Sequence, residues 1–220
     1  MEEIMTVSAK LENEAREMSC LRSRIKEYLI DFDACYDKFT ITDNDTFLGY
    51  VSEEAITGYL TGHYGGRLEI RKWADRFDLE RVKRAVDGKN GNVSEVLYVK
   101  DYFYDKYDLE IIDRRTGKSL YVDVKTAETW KYPRNTWNFL YPVVQNQRSG
   151  KDCVILCYYY KTGQEKKIIL VGYISEENIA RKPILKAGTR TRFGTVNQID
   201  NYETKVTDYR SLSGMIGAYF

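Results

Sequence analysis

The chain has 220 residues, enough for one large domain, or one domain plus an appendage, and for a sizeable core. Its 34 basic and 33 acidic side chains nearly cancel, so the formal net charge of +1 gives no global basic signal, and any nucleic-acid surface has to be local. His63 is the single histidine, which argues against histidine-based zinc sites and against Ser-His or Cys-His triads.

No apolar run approaches the length of a membrane span, and no signal peptide opens the sequence. Cys20, Cys35, Cys153 and Cys157 form no CxxC pair. The expectation is a reducing cytoplasm with free thiols and no membrane partner. The even spacing of Cys153 and Cys157 puts them on one face of a strand, as core residues rather than metal ligands.

Residues 1–42 form the most periodic segment. Ile4, Val7, Leu11, Glu14, Met18, Leu21, Ile25, Tyr28, Phe32, Cys35 and Phe39 alternate spacings of three and four, a heptad seam with one polar interruption. No Pro or Gly occurs before Gly49, so the pattern predicts one long helix over 3–38, of roughly 50 Å. A stripe this narrow is poorly stabilised alone, which points to a homodimer contact through this helix.

Residues 40–50 read as a connection, and Ser52 as the N-cap of a helix to about Thr61. A strand over 67–73 and a charged amphipathic helix over 74–87 follow, the latter an insertion near 74–90. Residues 93–99 read as a strand, and Tyr102, Phe103, Tyr104 and Tyr107 as core aromatics. Residues 107–112 and 120–124 are rich in β-branched and aromatic types, with Arg115 to Lys118 as a turn, so they predict a β-hairpin. Asp123 and Lys125 then share a face, Val122 and Val124 point into the opposite layer, and pairing brings Asp108 alongside. Beyond it lie an aromatic stretch from Trp130 to Pro142 with Lys131 and Arg134 interleaved, a helix over 142–148, and strands over 152–160 and 167–174. From residue 181 the chain turns basic: Arg181, Lys182, Lys186, Arg190 and Arg192 occur with no acid among them, a candidate surface for DNA phosphates in a segment running to 220.

Two carboxylates at close range repel unless a cation lies between them, and hard oxygen ligands suit Mg²⁺. At Asp108, then Asp123-Val124-Lys125, the chain resembles the PD-(D/E)XK nuclease superfamily, with Tyr107 where the family often has Pro. The resemblance covers about residues 50–174 and implies an α/β restriction-endonuclease-like αβββαβ core with a mixed central sheet, within a domain spanning 43–180. It implies Mg²⁺, or Mn²⁺ in its place, held by Asp108 and Asp123, with Lys125 stabilising charge on the phosphate. Glu53, rather than Glu54, fits the acidic ligand of an early core helix, because Ile56 and Leu60 follow it at helical spacing. Gln145 fits the polar residue such nucleases carry on the helix after the Asp-x-Lys strand. The implied activity is a metal-dependent endodeoxyribonuclease of restriction or phage-defence type, with Lys131, Arg134, Arg190 and Arg192 on DNA. A junction-resolvase-like nuclease and a catalytically inert DNA-binding module are the alternatives.

Overall fold

The chain opens with a strand, not a helix. A computed structural model describes residues 1–33, 42–144, 150–163, 165–190 and 196–220. In it β1 (Glu2–Thr6) pairs antiparallel with β7 (Glu165–Ser175), and α1 (Ala9–Ile30) begins only after Ser8, whose hydroxyl accepts from the Leu11 N–H at 3.2 Å. Ile4 and Val7 fit the seam numerically, but the Ser8 cap breaks the helix between Val7 and Leu11. The expected helix over 3–38 is thus corrected to a strand and a helix of 22 residues. Cys35 and Phe39 lie outside the described residues.

α2 (Asp43–Tyr64) starts nine residues before Ser52. Thr42 and Asp45 form a reciprocal capping box, each side chain accepting from the other's backbone N–H at 3.1 Å. The polar run expected to be a connection is this cap, and Ser52 is buried in mid-helix. After β2 (Leu68–Lys72) come a 3-10 turn (Trp73–Arg76), α3 (Leu79–Asp87) and α4 (Val93–Phe103). Residues 93–99 are therefore helix rather than strand. Asn92 caps them through the Ser94 N–H at 2.9 Å, and Val99, Tyr102 and Phe103 pack among helices. Tertiary packing overrides the β propensity of the valines.

The remaining strands are β3 (Leu109–Asp113), β4 (Ser119–Thr129), β5 (Asn138–Pro142), β6 (Cys153–Thr162), β8 (Ile184–Leu185) and β9 (Asn201–Lys205), with α5 (Glu176–Ala180) and α6 (Leu212–Tyr219). The result is a mixed α/β structure. One six-stranded sheet runs β1-β7-β6-β4-β3-β2, all antiparallel except the β4–β6 pair, and a three-stranded sheet runs β5-β9-β8.

Three apolar clusters hold these layers. Leu120, Val122 and Val124 of β4, with Cys153 and Cys157 of β6, face Val51, Ile56 and Leu60 of α2 and Leu212, Met215 and Ile216 of α6. Both thiols are buried, as their spacing predicts. On the other face, Val154, Leu156 and Tyr158 meet Tyr141 of β5 and Tyr202 of β9. The third cluster joins Leu21, Ile25, Tyr28 and Leu29 of α1 to Val82, Ala85 and Val86 of α3 and to α4. The heptad seam is thus covered by its own chain. Leu21, Ile25 and Tyr28 are not free to meet a partner, and Glu14 pairs with Lys10 at 3.7 Å. Among the described residues no helix is long and apolar enough to cross a membrane.

Candidate active site

The β3–β4 hairpin is pinned at its turn by Asp113. Its carboxylate accepts from the backbone N–H groups of Arg115 and Thr116 at 2.8 and 3.0 Å and from Arg67 at 2.9 Å. Gly117 takes the left-handed conformation, φ +72°, that the turn requires. Leu109 pairs with Val122 and Ile111 with Leu120, and Asp108 lies one residue before the end of that register. Asp108 donates its backbone N–H to the Val122 carbonyl at 2.9 Å, and its carboxylate accepts from the Val124 N–H at 2.5 Å. The side chain takes the bond a further strand residue would have taken, so the ladder ends there. β4 runs on to Thr129 paired only with β6, among the described residues. Asp108, Asp123 and Lys125 gather at this fork.

Asp123 is 1% exposed yet charged. Lys125 lies 2.9 Å from one of its oxygens and Lys151 2.5 Å from the other, while the Tyr141 hydroxyl donates to it at 3.2 Å. Burial pushes the Asp123 carboxyl up, but the two ammonium groups outweigh it and hold it below the usual carboxylate range. Burial also opposes the Lys125 charge, and Asp123 and Asp108 overcome it and hold that ammonium above its ordinary range. Among the described residues no ammonium group pairs directly with Asp108. Burial, then the neighbouring Asp123 charge, push it up to about 7, with Lys125 pulling the other way.

Glu53 comes from α2, on the opposite face of the sheet. Burial first, then the charges of Asp108 and Asp105, push its carboxyl well above the usual range, so it senses the fork. Glu54, one residue on, is tied to Lys72 of β2 instead. Helical geometry thus turns Glu53 to the cluster and Glu54 to the sheet edge.

Lys151, Tyr141 and Glu176 were not legible as site residues. Lys151 reaches Asp123 because β6 enters parallel to β4, with Val122 beside Cys153. Only the register across the crossover from Thr129 to Cys153 would have exposed it. Glu176, at the start of α5, is pushed up to about 7 by burial, against the pull of Lys151 and with a further push from Asp123.

The basic residues divide. Lys131 and Arg134 are exposed beyond β4 and pair with no acid among the described residues. In the tail, Arg181 pairs with Glu177, Lys182 with Asp208 at 2.7 Å and Lys186 with Asp200 at 2.8 Å. Glu177, four residues before Arg181, and two acids farther along the chain thus offset three of the five tail cations. Arg190 is exposed, bridging to Val196 through its backbone. Arg192 and Gln145 lie outside the described residues.

Asp108 and Glu53, pushed upward by burial and then by neighbouring carboxylates, are oxygen donors that fit a hard cation. Among the described residues no three acidic, histidine or cysteine side chains already form a metal-holding group. Mg²⁺ does not require one, since it is commonly held by one or two carboxylates with water and phosphate oxygens. Comparison of the chain with protein-family models, curated proteins and solved structures finds no match.

Proposed function

We propose that this chain is a metal-dependent endodeoxyribonuclease that hydrolyses DNA phosphodiester bonds. The observation that carries the reading is that Asp108, tied to the Val124 N–H where the β3–β4 ladder ends, lies close enough to Asp123 for the two charges to act on each other, with Lys125 on the Asp123 carboxylate. The order α2, β2, β3, β4, with β6 parallel to β4, supports this reading, although the described part of the β4–β6 crossover carries β5 where the αβββαβ order implied by the resemblance has a helix. Asp108 and Asp123, with Glu53 from α2, would hold Mg²⁺ or Mn²⁺. When bound, that ion supplies positive charge to the phosphate and acidifies water.

The chain's own residues do the rest. The Val124 N–H fixes the Asp108 carboxylate, and Lys125 presents a cation to charge that develops on the phosphate. Lys131 and Arg134 offer phosphate contacts past the end of β4. The intact trio Asp108, Asp123 and Lys125 favours an active enzyme over an inert binding module. A second copy would supply a second centre for cutting both strands, through a face other than the buried seam of α1.

Supercoiled plasmid incubated with the protein and Mg²⁺ should be nicked or linearised. EDTA should stop the reaction, and Lys125→Ala should slow it by on the order of a hundredfold or more while DNA binding persists. Discrete bands would mark a restriction-type enzyme, and preference for branched substrates the resolvase-like alternative. Undiminished cutting in EDTA, or by folded Lys125→Ala, would remove the proposal.

A further inference from the structure

We infer that Trp130 and Tyr132 form a stacking platform for unpaired bases, so that the nucleic acid this chain takes carries a single-stranded stretch past the fork of β3 and β4. The inference rests on the nuclease reading and names its substrate class. Trp130 is 71% exposed and Tyr132 44%. Large aromatic side chains in a folded protein ordinarily hide most of their surface, so two within three residues call for a partner.

The loop is built to present them. The Thr129 hydroxyl accepts from the Lys131 N–H at 3.1 Å and donates to the Lys131 carbonyl at 2.8 Å. Pro133 is buried, and the Trp137 N–H closes a turn onto the Arg134 carbonyl at 3.0 Å. Anchored at those points, the loop leaves Trp130 and Tyr132 facing out. Lys161 stands 5.7 Å over the Trp130 ring while its ammonium is paired with Glu128, and Tyr160 meets the Tyr132 ring edge-on at 5.7 Å. Each ring is braced from the protein side.

The charge fits one occupant. Lys131 and Arg134 interleave with the aromatics and pair with no acid among the described residues, whereas Arg181, Lys182 and Lys186 do. Free cations alternating with exposed π faces match a strand whose phosphates lie on one side and whose bases are splayed out on the other. In a duplex the bases are already stacked and paired, and offer no face to the rings. From Lys125 to Trp130 is five residues along and just past β4, about 17 Å from the fork.

The test uses anisotropy of a labelled oligothymidylate and of a blunt duplex of equal length, in EDTA so that nothing is cut. Wild type should bind the single strand more tightly than the duplex. Trp130→Ala with Tyr132→Ala should weaken oligothymidylate binding by about tenfold or more and duplex binding by less than about twofold. Trp130→Phe with Tyr132→Phe should restore most of the loss, because stacking needs a ring and not its polar tip. Unchanged affinity in the alanine variant, equal loss on both probes, or no binding of oligothymidylate by wild type overturns the inference. Plasmid cutting separates it from the reading it rests on. A chain that cuts without this selective loss keeps the nuclease and loses the platform. A chain that shows the loss and never cuts keeps the platform and loses the nuclease.

Discussion

Asp123 concentrates the electrostatics of the molecule on one carboxylate. It is buried between two ammonium groups, and Lys151, only 11% exposed at its side chain, is as firmly placed as Lys125. Removing one partner of a buried ion pair typically costs about 3–5 kcal/mol, because the other charge is left uncompensated. Here Lys125 and the Tyr141 hydroxyl remain, so Lys151→Ala should fall toward the low end, about 3 kcal/mol. The same change frees an Asp123 oxygen for a cation. In EDTA the variant should melt below wild type, and added Mg²⁺ should raise its melting temperature by more than it raises that of wild type. Equal Mg²⁺ responses would mean that Lys151 and the ion do not compete for Asp123. Asp108, Asp123 and Lys125 were legible because their convergence needs only a hairpin. Lys151 was not, because its approach depends on a parallel register that local sequence does not encode.

The elements that were misread share a cause at the scale of the helix end. Ser8, Thr42 and Asn92 each turn a polar side chain onto backbone N–H groups and start a helix, and each lies in or beside a stretch read as something else. Five of the six strands of the central sheet, β2, β3, β4, β6 and β7, were legible because strand alternation and turn residues agree there, whereas β1 was absorbed into the helical seam. A less visible device is Gly172 in β7. It adopts φ +143°, beside a register shift between Leu156 and Cys157, and a Cβ there would stand 2.2 Å from the Arg210 carbonyl oxygen. That approach lets Tyr173 and Arg210 exchange backbone hydrogen bonds at 2.8 Å, docking the chain end that leads into α6. Gly172→Ala meets both backbone strain and backbone contact, and should cost about 2 kcal/mol or more in urea unfolding. Gly62→Ala in α2, where nothing lies within 4 Å of the added carbon, should be neutral or slightly stabilising. Equal stability of the two variants would show that the tail does not rely on this crossing.

For the molecule as a whole, the decisive difference from sequence expectation is where the N-terminal seam goes. A long apolar stripe needs a partner, and the reading from sequence supplied a second copy. The fold supplies α2, α3 and α4 instead, and Ala15 joins the main core while Ile25 and Leu29 are fully buried among the helices. Periodicity reports that a face must be covered; it does not report which chain covers it. The two assignments differ in what Leu21→Asp with Ile25→Asp would do. If the seam met a partner, the variant would become a folded monomer. Covered as it is, the variant forces two carboxylates into an apolar cluster and removes two large side chains, each substitution costing several kcal/mol. Natural domains hold only about 5–15 kcal/mol in total. The double variant should therefore lose its cooperative thermal transition and most of its helical circular dichroism, whatever its concentration. Phe32→Asp, at the exposed end of the same stripe, should leave both intact. A double variant that melts like wild type, while sedimentation shows its mass halved, would return the seam to a partner subunit.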